Sequence, residues 1–161
     1  MLSQTNRPIM KNDTKKQNSS MNTKVELHIC ANPDYLCVAR SAVRQVAYIS
    51  GLEKNETEQL TLAVVEALTN VIRHSYGGPS DKPIIIKFNK INCPDGKKPA
   101  LEIVIRDFGK QVDPKTIEGR NLDDIKPGGV GVHIMQSVMD KTEFKKAEDC
   151  GMLLRMIKYI E

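Results

Sequence analysis

Tryptophan is absent from this chain of 161 residues, and its aromatic residues amount to four tyrosines and three phenylalanines. Proteins that bind single-stranded nucleic acid stack bases on aromatic side chains, so this scarcity argues against a nucleic-acid partner. No apolar run approaches the roughly 18–20 residues that span a bilayer. The N-terminus also lacks the apolar stretch of a secretory signal. We therefore expect a cytoplasmic protein without a membrane partner.

Closely spaced cysteines are missing as well. The chain has four cysteines and no Cys-x-x-Cys pair; they are Cys30, Cys37, Cys93 and Cys150. Structural zinc sites need ligands that lie close together in the sequence, so this spacing argues against one. We interpret the four as reduced thiols of a cytosolic protein.

The net charge of +4 is concentrated at the N-terminus. Residues 1–23 carry a charge of +3, which leaves +1 for residues 24–161. A nucleic-acid-binding domain clusters positive charge on its folded face, which this distribution does not favour. The first segment is rich in Asn, Lys, Ser and Thr and has too little apolar surface to offset chain entropy. We expect a disordered basic tail over residues 1–23 and one folded domain over residues 24–161.

Hydrophobic periodicity predicts the elements of that domain. Alternating apolar residues indicate five strands, over residues 25–29, 83–91, 100–106, 142–147 and 152–160. Helical spacing indicates three helices, over residues 33–50, 56–74 and 130–139. Asn32 and Asn55 are the expected N-caps of the first two helices, and Gly51 ends the first.

Elements in this order predict an α+β fold. We expect a two-layer α/β sandwich, with about five mostly antiparallel strands covered on one face by about three helices. A long polar connection over residues 108–129 interrupts the pattern. Connections of that length in a domain of this size are usually functional or disordered.

The second predicted helix carries the first group of candidate functional residues. Glu66, Asn70 and His74 are spaced four residues apart, so they line one edge of that helix. A structural hydrogen-bond network near the helix end would account for them. The alternative is a carboxylate base beside an amide oxygen that holds a hard cation such as Mg²⁺. The helix alone favours the structural account.

Two further segments contain glycines at places where a ligand could approach. Asp107-Phe108-Gly109 follows the third strand directly. It suits a simple turn, but a carboxylate also accepts a hydrogen bond from an exocyclic amine, and glycine lets a flat ring approach. Gly128-Gly129-Val130-Gly131 opens the third helix, where free N–H groups can bind phosphate. A flexible loop is an equally simple account of these glycines.

The order of the three segments resembles the ATP-binding superfamily of gyrase, heat-shock protein 90, histidine kinases and MutL. The strings over residues 66–76 and 129–140 are similar to those of the anti-sigma-factor serine/threonine kinases of bacterial partner-switching systems. The similarity extends over residues 24–160. It implies a Bergerat-type ATP-binding fold, with ATP and Mg²⁺ as cofactors.

The resemblance also implies a role for each matching residue. Glu66 would be the general base that takes a proton from the Ser or Thr hydroxyl of a partner protein. Asn70 would bind Mg²⁺. Asp107 would bind the adenine amine, and Gly109 would line the ring.

Two more glycines and one arginine complete the implied set. Gly129 and Gly131 would present N–H groups to the phosphates of ATP. Arg40, on the first helix, would contact a partner protein. The implied partners are a sigma factor, a small antagonist protein that is phosphorylated, and a second copy of the chain in a homodimer.

Two positions depart from the family pattern. Larger relatives have a second glycine where this chain has Gln111, and many relatives have a threonine where it has Met152. These departures keep a second hypothesis open, a non-catalytic, nucleotide-gated module that binds and regulates a partner protein. A detached histidine-kinase catalytic domain is the third, and it would need a phosphoacceptor histidine supplied by another protein.

Overall fold

The alternating segments pair into one antiparallel sheet in the computed structural model, which describes residues 24–92, 98–117 and 130–161. The strands are β1 (Lys24–Ala31), β2 (Ser80–Asn92), β3 (Pro99–Arg106), β4 (Lys141–Lys146) and β5 (Met152–Tyr159). Their order in the sheet is β1-β2-β3-β5-β4, and every neighbouring pair is antiparallel. The expected α+β architecture of five strands is confirmed.

Three α-helices accompany the sheet among the described residues. They are α1 (Leu36–Ser50), α2 (Lys54–Asn70) and α3 (Val130–Val138). Short 3₁₀ turns cover Pro33–Tyr35 and Pro114–Ile117, and a π-helical turn covers Val71–Ser75 directly after α2. None of the described helices combines the length and apolar character needed to cross a bilayer.

The ends of the first two helices show which terminal residues the sequence predicts correctly. The Asn32 side chain accepts a hydrogen bond from the backbone N–H of Asp34, and Gly51 ends α1 with φ of 103°. The expected cap at Asn55 is wrong, because α2 begins at Lys54 with Glu53 as its N-cap. The Glu56 carboxylate, at the third position of the helix, accepts from the Glu53 backbone N–H at 3.2 Å, as in a capping box. The N-cap itself is thus an acidic residue where Asn or Ser is the usual choice.

The core lies between the helices and one face of the sheet. Alternate residues of each strand point to that face, and the opposite face carries ion pairs such as Arg155–Glu102. The largest fully buried side chains come from both layers and include Leu60, Leu68, Ile84, Ile86, Phe88, Ile103 and Met156. Burial of this apolar surface is the main favourable term in the stability of the domain.

Some expectations fall outside the described residues. They are the tail over residues 1–23, the turn between β2 and β3, and the glycine-rich segment before α3 up to Gly129. Of the long connection, residues 108–117 are described.

A pair of isoleucines on neighbouring strands tests the two faces of the sheet. Ile103 on β3 is fully buried, whereas Ile85 on β2 points to the opposite face and is half-buried. Ile103→Ala should lower the free energy of unfolding by about 2–5 kcal/mol, because it leaves a cavity in the core. Ile85→Ala should cost less than half as much in urea unfolding. Equal losses would contradict the assignment of the core face.

Candidate functional site

The N-terminal end of α3 lies against the edge of α2 that carries the candidate base and amide. A Cβ atom placed on Gly131 would lie 2.9 Å from Glu66 Oε2 and 3.4 Å from Asn70 Nδ2. Glu66 and Asn70 are half-buried, as their position at the border of the apolar face predicts. The structure therefore brings together Glu66, Asn70 and Gly131, which are 65 residues apart at their extremes in the sequence.

The π-helical turn after α2 changes the direction in which the following side chains point. The backbone N–H of Tyr76 donates to the carbonyl of Val71, five residues earlier, at 3.1 Å. In an α-helix the acceptor would be the carbonyl four residues earlier. Turns of this kind are frequent at functional sites. The extra residue directs Ser75 and Tyr76 toward the segment after β3.

Asp107, the first residue after β3, is buried, with 3% of its surface exposed. Its Oδ1 accepts two hydrogen bonds, one from the Ser75 hydroxyl at 2.5 Å and one from the Gly109 backbone N–H at 2.9 Å. Its own backbone N–H donates to the Met152 carbonyl at 3.1 Å. A buried carboxylate is tolerated when hydrogen bonds compensate for its lost hydration, and these bonds supply that compensation.

Tyr76 fixes the same segment from its other side. Its hydroxyl donates to the Pro83 carbonyl at 2.6 Å and accepts from the Phe108 backbone N–H at 2.7 Å. Burial raises the pKa of the Tyr76 phenol above its ordinary value, against the opposing effect of the Phe108 N–H. The phenol therefore stays protonated at neutral pH and can make both bonds.

Two glycines allow the backbone to pack against Asp107 and Ser75. A Cβ on Gly109 would lie 2.2 Å from Ser75 Oγ and 2.4 Å from the Ser75 carbonyl oxygen. A Cβ on Gly151 would lie 2.2 Å from the Asp107 carbonyl oxygen and 2.7 Å from Asp107 Oδ1. Gly151 also has φ of +69°, in the left-handed region that favours glycine. Both positions therefore require the absence of a side chain.

Between these groups lies a pocket of about 210 Å³. Asn70 stands at its wall on α2 and Asp107 at its wall on the sheet. Its remaining polar lining residues are His74, Ser75 and Lys110. Its apolar wall consists of Ala67, Val71, Ile105, Val112, Ile117, Val132, Met135, Phe144, Met152 and Leu154. An apolar cavity with a few convergent polar groups is the usual form of a small-molecule site.

The remaining sequence-predicted residues lie elsewhere. Gly129 lies outside the described part of the chain. Arg40 is exposed on α1, one turn before Arg44, whose guanidinium pairs with Glu58 on α2 at 2.7 Å. It makes no ion pair within the described residues and does not line the pocket.

Sequence reasoning did not single out Ser75, Tyr76 or Lys110, and it gave His74 no mechanistic role. Ser75 and Tyr76 end the family-like string, which runs from α2 through the π-helical turn. His74 completes the four-residue spacing, and Lys110 follows the Asp-Phe-Gly segment. The available signal was the glycine in that segment, which indicates that another group approaches the backbone there.

The two departures from the family pattern have different surroundings. The Gln111 amide donates to the Ala147 carbonyl at 2.7 Å, at the connection between β4 and β5. Its side chain is therefore engaged in joining two loops. Met152 is buried and contributes to the pocket wall, so it offers a thioether where a threonine would offer a hydroxyl.

The donor set of the site suits a cation that is shared with a ligand. Within the described ranges no group of three His, Cys, Asp or Glu side chains converges on one point. Asn70 and Glu66 offer an amide and a carboxylate side by side. Mg²⁺ in phosphate sites commonly takes one or two protein ligands and completes its shell with phosphate oxygens and water. The residues present fit that arrangement.

Comparison with known proteins finds matches over most of the chain. Residues 29–158 match the model of the histidine kinase-like ATPase domain family. The serine-protein kinase RsbW of Bacillus velezensis is 28% identical over 145 residues, which cover 84% of this chain and 85% of that protein. RsbW of Listeria innocua is 27% identical over 150 residues, covering 88% and 90%.

A solved structure shares the fold. A chain in the crystal structure of the SiaB-SiaC complex from Pseudomonas aeruginosa superposes with a TM-score of 0.60 at 11% identity. The match covers 83% of this chain and 88% of that one. The two chains therefore have the same overall architecture despite little sequence similarity.

The contact between Gly151 and Asp107 can be tested against a second glycine of similar backbone conformation. Gly77 has φ of +75°, and a Cβ added there would meet no atom within 4 Å, so Gly77→Ala should incur only the conformational cost of about 1–2 kcal/mol. Gly151→Ala adds an overlap with Asp107 and should lower the free energy of unfolding clearly more. Urea unfolding measures both, and equal losses would contradict the close approach.

Proposed function

Because the chain belongs to the histidine kinase-like ATPase domain family, we propose that it is an ATP-dependent protein serine/threonine kinase and an anti-sigma factor. In this proposal it binds a sigma factor and phosphorylates a small antagonist protein. The observation that supports it most is the pocket that has Asn70 at one wall and the buried carboxylate of Asp107 at another. ATP carries an amine at one end and phosphates at the other, which matches these two groups.

Asp107 binds the adenine amine in this proposal. One of its oxygens, Oδ1, already accepts two hydrogen bonds from the protein, which leaves Oδ2 for a ligand. The surrounding wall is apolar, and residues such as Val71, Ile105 and Met152 can contact the faces of a purine ring. Burial of a flat apolar ring and one directed hydrogen bond give affinity and orientation together.

The triphosphate lies toward α3. Gly131 is in the first turn of this helix, where backbone N–H groups have no partner within the helix and can donate to phosphate oxygens. Glu66 and Asn70 are adjacent to Gly131, so the γ-phosphate and the residue that activates the acceptor hydroxyl come close together. Gly129 contributes a further N–H in the proposal.

Glu66 accepts the proton from the Ser or Thr hydroxyl of the antagonist as that oxygen bonds to the γ-phosphorus. The bond between the γ-phosphorus and its bridging oxygen breaks, and ADP leaves. When bound, Mg²⁺ neutralises charge on the phosphate oxygens, and Asn70 is the residue that would hold it. Positioning and electrostatic stabilisation account for most of the acceleration in phosphoryl transfer.

Partner binding is assigned to the exposed side of α1. Arg40 lies there, and Val38, Tyr48 and Ile49 on the same helix expose 47%, 75% and 63% of their surface. Exposed arginine and aromatic side chains are common in protein interfaces. We place the sigma factor or the antagonist on this surface, and we propose a cytoplasmic homodimer that binds neither nucleic acid nor membrane directly.

A non-catalytic, nucleotide-gated binding module is the second candidate. Met152 favours it, because the pocket wall has a thioether where a hydroxyl would help to hold adenine. In this alternative ATP shapes the partner surface and no phosphate is transferred.

Substitution of the proposed base distinguishes the two candidates. Glu66→Gln should lower phosphate transfer from Mg-ATP to the antagonist by about 10²–10⁴-fold, because no carboxylate accepts the hydroxyl proton. ATP affinity should change little. Glu58→Gln is a matched control, since Glu58 lies on the same helix and pairs with Arg44. Transfer is followed with radiolabelled ATP, and full transfer by Glu66→Gln would contradict the assigned base.

The adenine contact is tested by calorimetry with Mg-ATP. Asp107→Asn should weaken ATP binding by about 10–100-fold, because a hydrogen bond to a charged acceptor contributes about 1.5–3 kcal/mol. Asp113→Asn is the control, because Asp113 is exposed and its carboxylate bonds locally to the Lys115 N–H. Unchanged affinity in Asp107→Asn would place the nucleobase elsewhere.

A further inference from the structure

We infer that Ser75 is a positioning residue that fixes the Asp107 carboxylate and thereby makes the pocket select purines that carry an amine. This inference rests on the proposed adenine role of Asp107. Ser75 is held by the π-helical turn, contacts the carboxylate directly and packs against Gly109. None of these contacts follows from the assignment of Asp107 itself.

The hydrogen bonds define which carboxylate oxygen is free. The Ser75 hydroxyl and the Gly109 N–H both donate to Oδ1, at 2.5 Å and 2.9 Å. Two donors on one oxygen hold the plane of the carboxylate and satisfy that oxygen. Oδ2 is then the acceptor that remains for a ligand.

Ser75 is itself fixed by its backbone and its neighbours. Its carbonyl oxygen accepts from the Lys110 N–H at 3.2 Å, so Ser75 joins the segment after β3 through both its side chain and its main chain. Tyr76 holds Phe108 of the same segment. Gly109 approaches so closely that a Cβ there would overlap Ser75. The hydroxyl is therefore preorganised before any ligand arrives.

An acceptor oxygen held in a fixed position discriminates between purines. An amine on the ring donates to Oδ2, whereas a ring carbonyl at the same place would set one acceptor against another. A carboxylate without the Ser75 bond can rotate, and its free oxygen is then less well aimed at the amine. Loss of the hydroxyl should consequently weaken binding of the amine-bearing nucleotide in particular.

The experiment compares ATP with purine riboside triphosphate, which lacks the amine, by calorimetry in the presence of Mg²⁺. Ser75→Ala should weaken ATP binding about fivefold to tenfold, in line with the loss of one hydrogen bond. Binding of the analogue should change less than twofold. A variant that merely loosens the pocket would weaken both nucleotides alike, so an unchanged ratio of the two affinities would overturn the inference.

Two further variants keep the test decisive. Ser75→Cys retains a side chain of similar shape with a weaker donor. The ratio of its affinities for ATP and for the analogue should therefore lie between the ratios of the wild type and Ser75→Ala. Thr61→Val removes another buried hydroxyl, which donates to the Thr57 carbonyl on α2, and should leave the ratio unchanged. If Ser75→Cys and Ser75→Ala both keep the wild-type ratio of the two affinities, the role of the hydroxyl is contradicted.

Asp107→Asn is the reference for the proposed function. If it binds ATP and the analogue as the wild type does, the adenine site is wrong and the inference fails with it. If it loses the preference for ATP while Ser75→Ala keeps it, the adenine site stands and the positioning role of Ser75 is wrong.

Discussion

A carboxylate buried at the end of β3 determines much of the local structure around the pocket. A buried carboxylate needs hydrogen-bond donors close by to replace water. The chain supplies donors to Asp107 from two directions. Ser75 comes from the end of α2, and the Gly109 N–H comes from the turn after the strand. Gly151 allows the β4–β5 connection to pack directly on the Asp107 backbone. These contacts together tie the helical layer to the sheet.

The same constraint connects the two ends of the pocket. α2 is apolar on more than one side, so it packs against the sheet and against its neighbouring helices, with Leu60, Val64 and Leu68 fully buried. Its polar edge, with Glu66 and Asn70, then faces the start of α3. One helix thus contributes the Asn70 amide to the wall of the cavity and, through the turn that follows it, the Ser75 hydroxyl. The Glu66 carboxylate lies beside Gly131 on the same helix edge.

The sequence predicted the fold and family well, because both rest on periodic patterns. Strand alternation and helical spacing gave the five strands and three helices, and the family resemblance is confirmed by the match over residues 29–158. Spacing of four residues also placed Glu66 and Asn70 on one helix edge. The roles assigned to these residues stay predictions.

The contact between Ser75 and Asp107 could not be predicted in the same way. On an uninterrupted α-helix Ser75 would be rotated by about 140° from Asn70, since each residue turns the helix by about 100°. The π-helical turn adds one residue to the last turn, and apolar periodicity carries no signal for such an insertion. Likewise, the N-terminus of α2 depends on the Glu56 carboxylate accepting from the Glu53 backbone N–H. Residue preferences favour Asn55 as the N-cap, so they did not predict Glu53.

The proposed function requires that one pocket holds adenine at Asp107 and phosphates at the start of α3. A crystal structure with Mg²⁺ and a non-hydrolysable ATP analogue is the decisive measurement. We expect the adenine amine within hydrogen-bond distance of Asp107 Oδ2, with phosphate oxygens next to the Gly131 N–H and Asn70. A nucleotide bound outside this pocket, or in it with the base toward α3, would contradict this assignment.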